Sequence, residues 1–263
     1  MLNSIISAIL SVYLFFVGVF GIYPEAPQLK EGINSDPIPY LFDKTIEGFR
    51  YLHEERELPF RLKAPEETEE GKTYPMVVFL HGSGERGNDN QCHIMLSLLK
   101  GIKKNGTPCF ILMPQLHDTG NWEDDDMNAA LTSLIDGYIL PNYPIDTKRI
   151  YVTGDSRGGA GTFDQVIRHP GKYAAAMPTC GYRQSFLNSD EEIVLLKNTP
   201  LWMAQNSGDT LVNPEYSRTV YSTLKDMGVE HVKYTEYKAL GHNCWDKFYS
   251  EEEVWEWLFS QSL

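Results

Sequence analysis

The segment TGDSRGGAG, residues 153–161, places Ser156 between Gly154 and Gly158. These residues fit the pattern G-x-S-x-G, with an apolar β-rich run before them and a helix-compatible run after them. At such a strand-to-helix turn, a serine hydroxyl stands clear of the sheet, and the flanking glycines leave room for neighbouring backbone. Ser156 is therefore the candidate nucleophile of an acyl transfer. The alternative is a helix-capping serine in a glycine-rich turn.

A serine hydroxyl is a weak nucleophile, so the chain must also supply a base and an acid that orients it. With this kind of turn, the acid and then the histidine follow the serine along the chain. His169 ends the helix that follows the serine, and His231 begins a strand, so both positions fit structural roles. His242 lies in KALGHNCWD, in the loop after the last predicted strand. We predict that His242 is the base.

Asp209 is the predicted orienting acid. It lies in PLWMAQNSGDTLVNP, at the carboxyl end of a buried strand and between the serine and the histidine. The alternative for this residue is a turn or N-cap aspartate. Other acidic residues of this region lie in polar helical stretches or just beyond the histidine: Asp190, Glu191, Glu192, Asp226 and Asp246.

Two backbone amides are predicted to bind the oxyanion that forms in such a reaction. One belongs to Arg157, directly after the nucleophile. The other belongs to Ser83, in the loop HGSGERGNDN after the strand MVVFL, where Gly82 and Gly84 allow close approach of the backbone. The alternative for this loop is a flexible glycine turn.

Strands and helices alternate along the chain from residue 44. The patterns predict strands over 57–65, 76–80, 109–114, 149–154, 174–180, 200–205 and 232–237. They predict helices over 91–104, 127–140, 157–168, 213–227 and 250–261. This alternation is typical of an α/β protein with a mostly parallel sheet covered by helices on both faces, which binds ligands at the carboxyl ends of its strands.

The net charge and the apolar first segment bear on which partners the protein binds and where in the cell it acts. The 263 residues carry a formal net charge of −13, which argues against nucleic-acid partners. Residues 1–26 contain no charged side chain before Glu25 and are apolar, so we predict a signal peptide or an N-terminal anchor there, with membrane contact only through this segment. The catalytic domain would then span 27–263, in a secreted, periplasmic or cell-surface protein.

Several motifs, taken in order, resemble the α/β-hydrolase superfamily. They are VVFLHGSGERGNDN, ILMPQ…NW, PIDTKRIYVTGDSRGGAGTFD, AAAMPTCGY and LGHNCWD, within residues 44–260. More narrowly, they are similar to secreted bacterial esterases related to polyhydroxybutyrate depolymerases and to feruloyl and acetyl-xylan esterases, and to proteins labelled predicted peptidases. The resemblance implies the triad Ser156, Asp209 and His242, and it implies that Gln115 and Trp122 line the substrate pocket.

Asp155 and Arg157 depart from the apolar residues that more often flank the serine in this family. A charged pair at these positions could recognise a polar substrate or could pair with neighbouring groups. It leaves the substrate class open and does not affect the mechanism.

Four cysteines are present, and none forms a C-x-x-C motif, so no zinc site is expected. Cys180 and Cys244 both fall on loops at the predicted active edge. An exported protein can form disulfides, and one between these two residues would pin the histidine loop.

About 18 residues separate Cys180 from the next predicted strand, which is too few for a large lid. An open site suits a bulky or polymeric ester substrate, and the two-step reaction needs no metal or cofactor. We expect a serine ester hydrolase that acts on acetyl, feruloyl or similar esters of plant polysaccharide. The alternatives are a serine peptidase with the same triad and a binding module without catalysis. The oligomeric state is left open.

Overall fold

A nine-stranded sheet organises the part of the chain that the computed structural model describes, residues 30–36 and 38–263. The predicted signal segment 1–26 lies outside the described residues. The strands are β1 (Gly32–Ser35), β2 (Ile46–His53), β3 (Arg56–Lys63), β4 (Tyr74–Leu80), β5 (Phe110–Pro114), β6 (Ile145–Asp155), β7 (Ala175–Thr179), β8 (Leu201–Gly208) and β9 (Val232–Leu240).

The strands lie side by side in the order β1-β2-β3-β5-β4-β6-β7-β8-β9. The pairs from β1 to β5 are antiparallel, and every pair from β5 to β9 is parallel. All seven predicted strands are present. Strands β1 and β2 were both missed, because most of their residues are only partly buried and their sequences lack a continuous apolar run. The predicted α/β class with a mostly parallel sheet is confirmed.

Helices cover the sheet between its parallel strands. They are α1 (Leu96–Asn105), α2 (Asp125–Ser133), α3 (Arg157–Arg168), α4 (Glu191–Leu195), α5 (Glu215–Asp226), α6 (Trp245–Ser250) and α7 (Glu252–Phe259). A π-helical turn, Leu134–Ile139, continues α2. The helix predicted over 250–261 is present as α7, whereas α6 was not predicted; Glu251 has extended backbone and separates the two helices. Among the described residues, no helix has both the length and the apolar character needed to cross a membrane.

Strand β4 shows why its sequence is apolar throughout. All seven of its residues are buried, and successive side chains point to opposite faces of the sheet. Met76, Val78 and Leu80 belong to one apolar cluster, whereas Val77 and Phe79 belong to another. A strand covered on both faces needs an unbroken apolar run rather than alternation.

The backbone around the serine turn is packed too tightly for side chains. A Cβ added to Gly158 would lie 1.7 Å from the carbonyl oxygen of Leu80, and one added to Gly154 would lie 2.4 Å from that same oxygen. Both contacts are with backbone, so neither can be relieved by a side-chain rotation. The glycines therefore allow the start of α3 to meet the end of β4.

We expect Gly158→Ala to lower the free energy of unfolding by about 3 kcal/mol or more, because the strand and the helix must move apart. Gly137→Ala is the matched control. Gly137 is exposed in the helical turn after α2, and its nearest neighbour would be a serine oxygen 3.8 Å away. Urea unfolding followed by circular dichroism measures both variants, and equal midpoints would contradict the packing argument.

Candidate active site

Ser156 stands at the turn between β6 and α3 in a strained backbone conformation. Its φ is +53° and its ψ is −111°, a combination that a residue other than glycine seldom adopts. Its amide donates a hydrogen bond to the carbonyl oxygen of Thr179, at 2.9 Å. The turn is thus tied to the end of the neighbouring strand β7, and the hydroxyl faces out at the sheet edge.

Ser156, His242 and Asp209 form one chain of hydrogen bonds. The Nε2 atom of His242 lies 2.8 Å from the Oγ atom of Ser156, and its Nδ1 atom lies 2.6 Å from Oδ2 of Asp209. The Asp209 carboxylate is buried, and the imidazole is partly exposed. In this geometry the histidine can accept the serine proton on one nitrogen while the aspartate holds the other N–H.

Asp209 is fixed by its own loop. Its Oδ1 atom accepts hydrogen bonds from the amides of Leu211 and Val212, at 2.9 and 3.0 Å. The side chain of Gln205 donates to Oδ2, at 2.8 Å. Asp209 is thus also the turn aspartate that the sequence offered as an alternative, and the two roles coexist in one side chain.

The loop that carries His242 is held from strand β8. The side-chain amide of Asn206 donates to the carbonyl oxygens of Gly241 and Asn243, at 2.9 and 3.1 Å. The ring of Trp245 meets the imidazole edge-on, with 5.3 Å between ring centroids. These contacts orient the imidazole toward the serine.

The two residues predicted for the oxyanion hole lie beside each other. Ser83 begins a 3₁₀ turn, Ser83–Glu85, directly after β4, and Arg157 is the first residue of α3. The Nε atom of Arg157 donates to the Oγ atom of Ser83 at 2.8 Å, and its guanidinium also bonds the side chain of Asn121. Amides in the first turn of a helix have no acceptor within that helix, so the Arg157 N–H is available to a ligand.

A cleft of about 930 Å³ opens over the serine and the histidine. Its wall includes Tyr182, Arg183 and Tyr216 on one side and Glu85, Glu123 and Trp245 elsewhere. The Arg183 guanidinium is neutralised by Asp164 and Glu192, both at 2.8 Å.

Comparison with known proteins agrees with this architecture. No protein-family model matches the chain. Over 203 residues it is 27% identical to acyl-protein thioesterase 1 of Neurospora crassa, across 64% of this chain and 80% of that protein. The solved structure of a thermostable esterase superposes with a TM-score of 0.75 at 31% identity, over 83% of this chain; this chain spans 64% of the length of that esterase. A ferulic acid esterase superposes with a TM-score of 0.64 at 14% identity, over 82% of this chain and 98% of that one.

The chain has the α/β-hydrolase fold. Its Ser156, His242 and Asp209 are placed as the triad of a serine hydrolase in this fold, with the nucleophile after a central strand and the histidine after the last strand.

Gln115 and Trp122 do not line the cleft, so that expectation is wrong. Gln115 is fully buried, and its side chain accepts a bond from the amide of Asn90 and donates to the carbonyl oxygen of Glu85. Trp122 is also buried, and its Nε1 donates to the carbonyl oxygen of His81, at 3.0 Å. Both side chains point inward and bond the backbone of the loop after β4. The resemblance therefore placed these residues next to the site, but it implied the wrong direction for their side chains.

His81 is a supporting residue that the sequence reasoning missed. Its Nδ1 lies 2.7 Å from the carbonyl oxygen of Gly82, and its Nε2 accepts from the amide of Leu116, at 2.8 Å. Complete burial lowers the pKa of His81 to about 3, with a smaller contribution from His93. The ring is therefore neutral, and it fixes the backbone of the oxyanion loop. A histidine directly after a buried strand was the available signal.

Asp155 faces the protein interior at the floor of the cleft. Burial, and then the nearby Glu85 carboxylate, raise the pKa of Asp155 well above its ordinary value. Its Oδ2 would lie 2.6 Å from a Cβ on Gly82, so it packs against the oxyanion loop. The two charged residues beside the serine thus both contact that loop: Asp155 packs against Gly82, and Arg157 bonds Ser83.

One group of described side chains has donor atoms close enough to share a metal ion. These are Cys180, Asp209 and His242, whose ligand atoms lie within 4.8 Å of one another. The aspartate and the histidine of this group already bond each other in the triad, and we therefore assign them to the triad rather than to a metal.

The histidine is surrounded by groups that favour its protonated form. Burial by itself lowers the pKa of His242, but the interactions with Cys180 and Asp209 outweigh burial and raise the pKa to about 9. A base must be neutral to accept a proton. With Cys180 and Cys244 as free thiols, the imidazole becomes neutral only as the pH approaches that value.

For the fully reduced protein, we expect the rate of Ser156 modification by a fluorophosphonate to rise with pH up to a midpoint near pH 9. The rise reflects the loss of the proton from His242. Labelling is measured by intact-protein mass spectrometry across pH 6–10. A midpoint below about pH 7, the range of an ordinary histidine, would contradict the raised pKa.

Asp209→Asn should lower the rate of that labelling by a factor on the order of 10³–10⁴, because an amide can hold the imidazole in the wrong tautomer. Asp246→Asn is the control. Asp246 also lies near the histidine, but it bonds only within its own loop, to Asn243. If the two variants react equally fast, Asp209 has no orienting role.

Proposed function

We propose that the protein is a serine carboxylic-ester hydrolase. The observation that carries this proposal is the unbroken chain from the Ser156 hydroxyl through His242 to the buried Asp209, with distances of 2.8 and 2.6 Å, at the floor of an accessible cleft. A binding module has no need for a strained serine in contact with a base. The esterase and thioesterase relatives support the same reaction class.

The reaction follows from the positions of the groups. The Oγ of Ser156 attacks the ester carbonyl while His242 takes its proton. The oxyanion accepts hydrogen bonds from the amides of Arg157 and Ser83. His242 then protonates the leaving alcohol, and a water molecule releases the acid from the acyl-enzyme by the same steps. The residues supply the nucleophile, the base and the oxyanion donors themselves.

The proposed substrates are acetyl, feruloyl or similar esters of plant polysaccharide. The rings of Tyr182 and Tyr216 lie 6.1 Å apart on the cleft wall and offer apolar faces to an aromatic acyl group or a sugar ring. The Oε2 atom of Glu123 is buried and has no partner among the described residues, so it can accept a bond from a substrate hydroxyl. Burial raises the pKa of Glu123, so this carboxyl group is protonated more readily than an exposed one and can then also donate a hydrogen bond to a substrate.

The proposal extends to location. The apolar first 26 residues support export to a compartment where such polymers are met. Sequencing the N-terminus of the protein released by a host cell tests this part, since retention of the whole segment in a cell-associated protein would contradict secretion.

Ser156→Ala should abolish hydrolysis of short nitrophenyl esters, with a loss on the order of 10⁵–10⁶ in kcat, because Ser156 supplies the only hydroxyl bonded to the base among the residues that the structure describes. Ser222→Ala, on the exposed face of α5, is the control. Peptide anilides and acyl thioesters are assayed beside the esters. Faster turnover of anilides would identify a peptidase, and faster turnover of thioesters would redirect the proposal to the chemistry named for the Neurospora relative.

Tyr216→Ala should raise the KM for methyl ferulate about 2- to 10-fold, the range expected for one lost aromatic contact. The KM for an acetyl ester should change little. Tyr216→Phe keeps the ring and loses only the hydroxyl bond to Gln184, so it separates ring stacking from that hydrogen bond. Unchanged kinetics for both esters in the alanine variant would remove the tyrosines from the acyl site.

A further inference from the structure

Two cysteines from different elements meet directly behind the catalytic histidine. Cys180 follows β7, Cys244 precedes α6, and both are buried. Their sulfur atoms lie 2.9 Å apart as free thiols, so the predicted disulfide is not formed in the structure. A disulfide bond has a length of about 2.05 Å, and a shift of under about 1 Å would bring the sulfurs to it.

The same sulfur pair is bound to the histidine loop. The Sγ atom of Cys180 donates to the carbonyl oxygen of His242, at 3.1 Å. Cys180 also has a left-handed backbone conformation, with φ of +48°. A change in the protonation or oxidation state of Cys180 therefore acts directly on the loop that carries the base His242.

Electrostatic interactions couple the cysteine pair to the catalytic histidine. The hydrogen bond from Cys244 lowers the pKa of Cys180 against the opposing effect of burial, and His242 lowers it further. Burial raises the pKa of Cys244. Cys180 is therefore the thiol that ionises first, and its thiolate pairs with the imidazolium of His242. Five other titratable groups interact with this cluster: Asp155, Asp209, Tyr234, Tyr237 and Tyr249.

We propose that Cys180 and Cys244 are a redox-active pair whose oxidation to a disulfide switches the base His242 on and whose reduction holds it off. The inference rests on the proposed function, since it concerns control of the same triad. When Cys180 of the reduced pair loses its proton, its thiolate lies beside the imidazolium of His242, and the histidine cannot accept the serine proton. In the disulfide form the thiolate is gone, and the loop after β9 is joined covalently to the end of β7.

The oxidant is a low-molecular-weight disulfide. The Cys180 thiolate attacks one sulfur of that disulfide and releases one small thiol, which leaves a mixed disulfide on Cys180. The Cys244 thiolate then attacks the Sγ of Cys180 and releases the second small thiol. Two electrons and two protons pass from the cysteine pair to the two released thiols, so the exchange balances.

The test compares full-length wild-type protein equilibrated with glutathione disulfide or with dithiothreitol. Free thiols are alkylated, and peptide mapping by mass spectrometry follows. We expect a Cys180–Cys244 linked peptide after the disulfide treatment only, with Cys109 alkylated only after unfolding in both samples. Alkylation of Cys180 and Cys244 to the same extent as Cys109 after the oxidised sample has been unfolded would overturn the pairing.

The second readout is fluorophosphonate labelling of Ser156 against pH in both samples. We expect the midpoint to move from near pH 9 in the reduced protein toward the ordinary histidine range, which makes the oxidised form react about tenfold faster or more at pH 7.5. Cys180→Ser should react like the oxidised form under both conditions, whereas Cys109→Ala should follow the wild type. Because the wild type alone gives the comparison, a poorly folded variant does not decide the result.

Coinciding midpoints in the two samples overturn the switch. Ester hydrolysis is measured in parallel, so the two proposals can fail separately. Redox-dependent labelling without turnover of any ester would reject the proposed substrates and keep the switch. Redox-independent labelling with good ester turnover would reject the switch and keep the hydrolase. Absence of labelling in both forms would reject both.

Discussion

The approach of α3 to the end of β4 is the constraint on which the site depends. The Gly158 backbone and the carbonyl oxygen of Leu80 are so close that only a hydrogen atom fits between them. This contact forces the sharp turn that strains Ser156, and it brings the start of α3 beside the loop after β4. The nucleophile and both oxyanion residues, Ser83 and Arg157, are therefore positioned by the same packing of backbone against backbone.

Buried polar side chains carry the second layer of support. Neutral His81 fixes the backbone of Gly82, while Gln115 and Trp122 bond the loop from the interior. Each of these groups is fully buried and hydrogen-bonded, so removing one would leave its partner unsatisfied at a cost of about 1–3 kcal/mol. The oxyanion loop is thus preorganised by the core, although it lies at the surface and is rich in glycine.

The sequence was most informative where one physical requirement permits few residue types. Gly154 and Gly158 around Ser156 predicted the turn. An unbroken apolar run predicted each strand that is buried on both faces. Asp209 and His242 could be located because parallel strands end at one edge. The direction of a side chain was harder to predict, since a glutamine or a tryptophan can face either a ligand or the protein interior. For that reason the sequence did not reveal that Gln115 and Trp122 face inward. It also did not reveal the short helix α6 before Glu251.

The serine and the histidine of the triad follow strands in different positions of the sheet. Ser156 follows β6, which is paired on both sides, whereas His242 follows β9, which pairs only with β8. Edge strands open locally at lower free-energy cost than central ones. Transient fraying of this edge therefore removes the base while the nucleophile stays in place. We therefore expect heat to abolish reactivity, through local opening at this edge, at a lower temperature than it unfolds the core.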